Sequence, residues 1–297
     1  MTCDSGHSDS VVTWGQSLTI YLFPKSQLRA ARFAALLFLC LLFAAGSASA
    51  QTQTPEYGCP IGIASKPSLL RHVAWDKTVP TGQIRLSFRG HATFSIETPG
   101  GASAATDYNG ITRPPYVPDA VTMNNAHPNH YADYIEPEIN HVLRGWDPEG
   151  GVAKHEVAFK DMTIFSIPTN LFRRPNGQLY NGNSIFVFKA GDLCVAHLGH
   201  LHQILSDEQR RALRRVDVLM INIDGNTMTQ GEALKVIEQI SPRLVIPMHY
   251  LFQGLAERFA RLAAPLYPVR VHSDSTIVVD EASLPHSKEI LFLQPAQ

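Results

Sequence analysis

The chain lacks an excess of charge of either sign. Its 297 residues carry 25 lysines and arginines against 26 aspartates and glutamates, a formal net charge of -1, and charged residues make up 17% of the total. A nucleic-acid-binding protein needs a basic surface to neutralise phosphates, and this balance indicates none. With 44% hydrophobic residues, the composition is that of an ordinary globular protein.

The chain also lacks a hydrophobic run long enough for a comfortable membrane-spanning helix. The apolar run Phe33–Ala45 falls short of the roughly 20 residues that such a helix needs. A basic segment at 25–32 precedes it, and Ala48-Ser49-Ala50 follows it, which suits signal peptidase. We therefore expect a signal peptide cleaved before Gln51, a periplasmic or secreted protein, and no stable membrane anchor. An uncleaved N-terminal anchor is the alternative.

Cysteine is scarce. Of four cysteines, Cys3 and Cys40 would be lost with the leader, and Cys59 and Cys194 remain. In an oxidising compartment these two would be able to form a disulfide. The alternative is that Cys194, in the strand-like sequence LCVAH, is simply a buried apolar residue.

The pattern along the chain predicts one α/β domain after the leader. Residues 1–50 form the N-terminal extension and signal peptide, 51–83 an irregular lead-in, and 84–297 the folded domain. The first half of the domain predicts a β-meander, with strands at 84–88, 93–98, 104–107 and 120–123. The second half mixes strands at 157–167, 184–189, 194–197, 218–223 and 244–248 with helices at 206–215 and 229–240. This alternation predicts two sheets with helices packed outside them.

Histidines follow several of the predicted strands. The ends of neighbouring strands converge at one edge of a sheet, so such residues assemble into sites. Any one of them alone is more often a core histidine with a satisfied ring nitrogen, but together they favour a metal site. The histidines concerned are His91, His127, His130, His197, His200, His202 and His249.

An ordered series of segments resembles the metallo-β-lactamase superfamily. The series runs FRGHATFSIET, AATDY, the histidine-rich turn after AVTM, GNSIFVF, LCVAHLGH, VDVLMINIDGNTMT and RLVIPMHY. It spans Ile84–Tyr250 and is most similar to the branch with lactonase-like and N-acyl-phosphatidylethanolamine phospholipase D-like members. The resemblance implies a four-layer αββα sandwich in a single domain. It also implies a hydrolytic site with one or two zinc ions where the two sheets meet.

The metal-binding pattern of that superfamily is altered in this chain. Its T-H-x-H-x-D-H sequence falls on residues 124–130, so that Asn125 replaces the first histidine and Asn129 the aspartate. The aspartate that bridges two metals is replaced by His200. Two zinc ions bring four positive charges, which imidazoles and carboxamides cannot offset, so we expect one divalent transition ion, with zinc the first candidate.

The resemblance assigns candidate roles to individual side chains. The expected ligands are His127, His130, His200 and His249, with Asn125 or Asn129 as a weak oxygen ligand or an outer hydrogen-bonding partner.

Further residues have supporting roles by resemblance. Asp224 is a candidate catalytic base at the sheet edge. His91 matches a residue near the pocket rather than a ligand. Asp107 matches an aspartate that steadies the metal loop, although a turn residue is the alternative. His202 is a spare ligand, and His197 is expected in the core.

Two functions follow from these expectations. The first is a secreted metal-dependent hydrolase that acts through metal-activated water on a small ester, lactone, amide or phosphoester. Three histidine ligands would leave a position open for that water, whereas four would close the site and make it structural. The second is a catalytically degenerate protein of the same fold that serves as a binding or scaffold protein in the periplasm.

Overall fold

The computed structural model describes residues 78–173 and 177–296 of the chain. The predicted signal peptide, most of the lead-in at 51–83, and Cys59 lie outside the described residues. Cys194 is fully buried and disulfide-bonded, while its pairing with Cys59 stays a prediction. The described elements form two stacked β-sheets with helices, which confirms the predicted α/β sandwich.

The first sheet has six strands in the order β13-β1-β2-β3-β4-β5. The strands are β1 (Ile84–Gly90), β2 (Thr93–Glu97), β3 (Ser103–Ala105), β4 (Ala120–Met123), β5 (His141–Arg144) and β13 (Thr276–Val279). The predicted β-meander is wrong beyond β3, because β3 pairs with β4, and β4 with β5, in parallel. Parallel neighbours need a long crossover connection, and segments 106–119 and 124–140 provide these two crossovers.

The second sheet has eight strands in the order β12-β14-β11-β10-β9-β8-β7-β6. The strands are β6 (Glu156–Phe159), β7 (Met162–Arg173), β8 (Gly177–Ala190), β9 (Leu193–His197), β10 (Val218–Asn222), β11 (Leu244–Met248), β12 (Val269–Val271) and β14 (Glu289–Phe292). The single strand predicted at 157–167 is instead the hairpin of β6 and β7. Lys160 turns the chain there with a φ of 47°.

Three described helices follow strands of the second sheet: α1 (Asp207–Leu213), α2 (Gln230–Ile240) and α3 (Gln253–Ala263). The two capping boxes predicted from sequence are present, at Ser206 and Thr229. The helix α3 was not predicted. No helix of the described residues is long and apolar enough to cross a bilayer.

Alternating side chains of the second sheet build two cores. In β10, Val218 and Met220 belong to the core between the sheets, whereas Leu219 and Ile221 belong to the core beneath the helices. The outer face of the first sheet has its own small core, which includes Tyr108 and residues of the irregular segment 124–140. Strands buried on both faces explain why β10 and β11 read as continuous apolar runs.

The topology brings several strand ends to one edge of the sandwich. Strands β9, β10, β11 and β14 run parallel to one another, so their carboxyl ends lie on the same side. The residues after β9, β10 and β11 are those that contain His200, Asp224 and His249. The structure therefore places these residues together at the sheet edge, as strand-end placement predicts.

Candidate metal centre

Five imidazoles and two carboxylates meet at this edge. Each comes from a segment that follows a strand: His91 from the β1–β2 turn, Asp107 after β3, His127 and His130 after β4, His200 after β9, Asp224 after β10, and His249 after β11.

The centre of the cluster is a pair of buried histidines that face each other. The Nε2 atoms of His130 and His249 lie 3.1 Å apart, and the two rings are nearly parallel, with an interplanar angle of 13°. His130 is 1% exposed and His249 is 8% exposed. Two nitrogens bound to one tetrahedral zinc ion at the usual bond lengths would be about 3.3 Å apart, so the observed separation fits a shared ion.

Each histidine of this pair is backed by a buried aspartate. The Nδ1 atom of His130 lies 2.5 Å from Oδ2 of Asp107, and Nδ1 of His249 lies 3.5 Å from Oδ2 of Asp224. A carboxylate beside Nδ1 favours the tautomer with the proton on Nδ1, which leaves a lone pair on Nε2. Two lone pairs would then face each other across 3.1 Å. Such an arrangement is repulsive unless a cation lies between the nitrogens or one ring carries its proton on Nε2 and donates a hydrogen bond to the other.

His91 adds a third imidazole to the pair. One ring nitrogen from each of His91, His130 and His249 lies within 4.8 Å of the other two. The ring centroid of His91 is 4.4 Å from that of His249 and 5.1 Å from that of His130. Among the described residues, this is the set of three that meets the geometric requirement for a metal site. Sequence reasoning placed His91 near the pocket and missed it as a possible ligand.

The other predicted ligands surround this group. The ring centroid of His200 lies 4.5 Å from that of His130 and 5.0 Å from that of His249, and its ring plane is nearly perpendicular to both. His127 is exposed, and its ring is 5.8 Å from that of His130. His202 contacts His200 at 4.8 Å between ring centroids. The structure thus brings all four predicted histidine ligands together, although their roles as ligands stay predictions.

The two asparagines of the metal loop differ in environment. Asn125 is fully buried, forms an isolated bridge with Asn183, and has no hydrogen-bond partner for either side-chain polar atom. Asn183 in turn accepts a hydrogen bond from the backbone N–H of His200. Asn129 is exposed. Of the two, Asn125 is therefore better placed for an oxygen contact inside the cluster, because a buried amide needs a partner.

Asp224 is buried and hydrogen-bonded within the protein. Its carboxylate accepts hydrogen bonds from the hydroxyl and the backbone N–H of Thr227, and only 8% of the residue is exposed. Burial acts to raise the pKa of this carboxyl, but the interactions with His249 and Thr227 outweigh it and lower the pKa below its ordinary value. Asp224 therefore carries its negative charge beside His249.

Burial keeps the surrounding imidazoles neutral. Desolvation, together with the neighbouring His249, lowers the pKa of His91 to about 4. Desolvation and the adjacent His130 also lower the pKa of His200. Neutral imidazole is the form that binds a metal ion, so His91 and His200 stay in the binding form well below neutral pH.

His197 is a core residue, as its position in β9 predicts. It is fully buried, and its Nε2 atom donates a hydrogen bond to the carbonyl oxygen of Ala92 over 2.7 Å. Its Nδ1 atom accepts from the backbone N–H of Gly199. Both ring nitrogens are satisfied within the protein, so His197 is not available as a ligand.

Comparisons with known proteins agree with this architecture. Residues 85–249, more than half of the chain, match the family model of the beta-lactamase superfamily domain. A UPF0173 protein of Pyrococcus abyssi is 28% identical over 197 residues, which cover 60% of this chain and 90% of that protein. A UPF0173 metal-dependent hydrolase of Salinibacter ruber is 26% identical over 198 residues, covering 56% of this chain and 84% of the relative.

Solved structures share the fold. A Thermotoga maritima protein of the metallo-β-lactamase superfamily matches with a TM-score of 0.53 and 21% identity, covering 71% of this chain and 98% of that one. Igni18, a metallo hydrolase from Ignicoccus hospitalis, matches with a TM-score of 0.50 and 20% identity, covering 67% of this chain and 99% of that one. These structures share the fold, and the matched family model shows that the chain belongs to the metallo-β-lactamase superfamily.

Proposed function

We propose that the protein is a metal-dependent hydrolase with a single divalent transition ion, zinc being the first candidate. The observation that carries this proposal is the pair of Nε2 atoms 3.1 Å apart on His130 and His249, each ring backed by a carboxylate. An ion between the two nitrogens would bind both lone pairs, in place of a hydrogen bond between the two rings. The relative from Salinibacter ruber named as a metal-dependent hydrolase supports the same activity.

The charge of the site supports one ion rather than two. The metal loop has lost its carboxylate to Asn129, but Asp107 and Asp224 stand behind the two central histidines. Two negative charges one imidazole away from the ion balance its double positive charge. A second ion would require further carboxylates, and the groups that act electrostatically on His200 are imidazoles.

Different residues of the site would have different roles in hydrolysis. A divalent ion at this position would supply Lewis-acid chemistry, activating water and polarising the substrate carbonyl or phosphoryl group. Asp107 orients His130 by accepting a hydrogen bond from its Nδ1 atom, and the Asp224 carboxylate lies 3.5 Å from Nδ1 of His249 as its charged neighbour. Asp224, predicted as a catalytic base, is already engaged with Thr227 and His249, so we assign it this positioning role. Asn125 offers a buried amide for an outer contact with the ion or the substrate.

The substrate is inferred only as a class. We propose a small ester, lactone, amide or phosphoester, in keeping with the absence of a basic excess that would attract nucleic acid.

The experiment is metal analysis combined with hydrolysis assays on protein purified without chelator. We expect close to one transition ion per chain, together with turnover of p-nitrophenyl acetate, a lactone or bis(p-nitrophenyl) phosphate. His249→Ala should lose both the ion and the turnover, whereas the control His286→Ala, at an exposed position away from the site, should retain both. A bound ion without turnover on any of these substrates would instead favour the binding or scaffold protein.

We further propose that the protein is secreted or periplasmic, from the basic segment at 25–32, the apolar run Phe33–Ala45 and the small residues that follow. Expression of the full chain in a bacterial host, followed by fractionation and N-terminal sequencing, tests this. We expect the exported protein to begin at Gln51. Full-length protein retained in the membrane would support the uncleaved anchor.

A further inference from the structure

We infer that His91 is the third protein ligand of the ion, so that the metal centre consists of His91, His130 and His249. This inference rests on the proposed metal-dependent function and specifies the ligands of the same site. It differs from the set that the superfamily pattern indicates, in which His127 and His200 complete the centre and His91 is not a ligand.

The first argument is distance. The nitrogens of His91, His130 and His249 lie within 4.8 Å of one another, and one pair among them is already at 3.1 Å. Closing the remaining gaps to about 3.3 Å, the separation in a tetrahedral zinc site, needs a shift of roughly 1.5 Å at the tip of a side chain. In the described part of the chain, no set of three that includes His127 or His200 meets the same limit.

The second argument is backbone conformation. His91, Asp107 and His249 all adopt the left-handed region, with φ values of 54°, 51° and 58°. For residues other than glycine this conformation costs of order 1–3 kcal/mol each and is concentrated at functional sites. The strain therefore falls on two of the three ligands and on the aspartate that orients the remaining one.

The third argument is that the backbone fixes His91 to its partner. The backbone N–H of His249 donates a hydrogen bond to the carbonyl oxygen of His91 over 2.7 Å. This bond ties the β1–β2 turn of the first sheet to the end of β11 in the second sheet. The two imidazoles are thus positioned relative to each other before any ion binds, which lowers the entropic cost of forming the site.

The fourth argument is an unsatisfied nitrogen. The Nδ1 atom of His91 is buried and has no hydrogen-bond partner. Buried polar atoms are nearly always paired, so an exception needs an explanation such as an ion. His200 has a similar unpaired Nδ1, but among the described residues no group of three ring nitrogens that includes it meets the 4.8 Å limit. His200 and the exposed His127 are left to line the open side of the ion and contact the substrate.

The test compares matched asparagine variants by metal binding, a measurement that does not depend on activity. Asparagine tolerates the left-handed conformation and cannot replace an imidazole as a strong ligand, so His91→Asn removes the ligand with little backbone strain. His127→Asn is the control of the same type. Each metal-free protein is titrated with Co²⁺ and Zn²⁺ by absorption spectroscopy and calorimetry, after circular dichroism has shown that it is folded.

We expect wild type to bind one ion and His91→Asn to bind it more than about a hundredfold more weakly, because loss of a direct ligand exceeds the effect of losing an outer partner. The Co²⁺ absorption bands should also change in His91→Asn and stay unchanged in His127→Asn. Wild-type affinity in His91→Asn, or its loss in His127→Asn, would overturn the ligand assignment while leaving the metal-dependent function intact. Failure of wild type to bind either ion would overturn both.

Discussion

Removing the negative charge behind His130 should weaken metal binding without unfolding the site. The change is Asp107→Asn. Asp107 is fully buried, and its Oδ2 atom accepts a hydrogen bond from Nδ1 of His130 over 2.5 Å. Asparagine keeps the size of the side chain and an oxygen that accepts the same hydrogen bond. It also tolerates the φ of 51° at this position, so the substitution changes mainly the charge.

The expected magnitude follows from the two effects of the carboxylate. Asp107 makes the Nε2 atom of His130 more basic and offsets one of the two positive charges of the ion. Loss of such an outer-shell partner typically weakens metal affinity by about 10- to 100-fold. This corresponds to about 1.4–2.7 kcal/mol of binding free energy.

The assay is competition for Zn²⁺ against a chromophoric chelator at neutral pH, with the free energy of unfolding of the metal-free proteins measured in parallel. Asp119→Asn is the matched control, because Asp119 binds Ser103 and Lys160 rather than a histidine of the cluster. We expect Asp119→Asn to bind zinc as wild type does. If Asp107→Asn bound zinc as tightly as wild type, rather than at least about tenfold more weakly, the carboxylate would not contribute to the site as argued.

Three further predictions concern stability. Burial lowers the pKa of His197 to about 4 from an ordinary 6.5, so the unfolded chain binds more protons than the folded chain between these values. As pH falls from 6.5 to 4, His197 alone should account for a loss of about 3 kcal/mol from the unfolding free energy of the metal-free protein, in addition to the losses from His91 and His200. Urea titrations across this range should show a smaller loss in His197→Gln, which keeps a donor but does not titrate, and an equal loss would refute the argument. Gly199→Ala should lower the free energy of unfolding by more than about 1 kcal/mol, because the added Cβ would overlap the side chain of Asn124 and Gly199 has a φ of +60°. Gly231 lies in a helix with open space around it, so Gly231→Ala should raise the melting temperature. Thr229→Ala should cost about 1 kcal/mol by removing the cap of α2, measured by chemical denaturation, and unchanged stability would show that the cap contributes nothing.

The sequence predicts the strand ends that carry the site because these strands are buried on both faces. RLVIPMHY is apolar up to the histidine, and the structure places Leu244–Met248 in β11 with every residue buried. His249 therefore follows the strand directly, at the sheet edge. The same reasoning holds for β4 at Ala120–Met123, which precedes the histidine-rich turn. A local pattern is sufficient here. A strand that is buried on both faces is a continuous apolar run, so the end of the run marks the end of the strand.

The sequence does not predict which strands pair or which imidazoles come within bonding distance. Short runs of small and apolar residues mark β3 and β4 as strands but carry no information on their direction, so a meander was expected where the pairing is parallel. The ligand role that we propose for His91 was not predicted, for a related reason. Its ring reaches the pair of His130 and His249 through a left-handed turn and a hydrogen bond between two sheets. Neither feature leaves a mark in the residues around His91.

The positions of the carboxylates explain how this chain would keep a metal site after its metal loop lost the acidic residue. In the loop, Asn129 is exposed and carries no charge, so it cannot balance the charge of an ion. Asp107 and Asp224 supply two negative charges beside the Nδ1 atoms of His130 and His249, where burial strengthens their electrostatic effect. This arrangement supports the proposal of one ion between these two histidines, because the two carboxylates contact only them within the cluster. An ion placed instead between His127 and His200 would meet imidazoles alone, and its charge would be left uncompensated in a partly buried site.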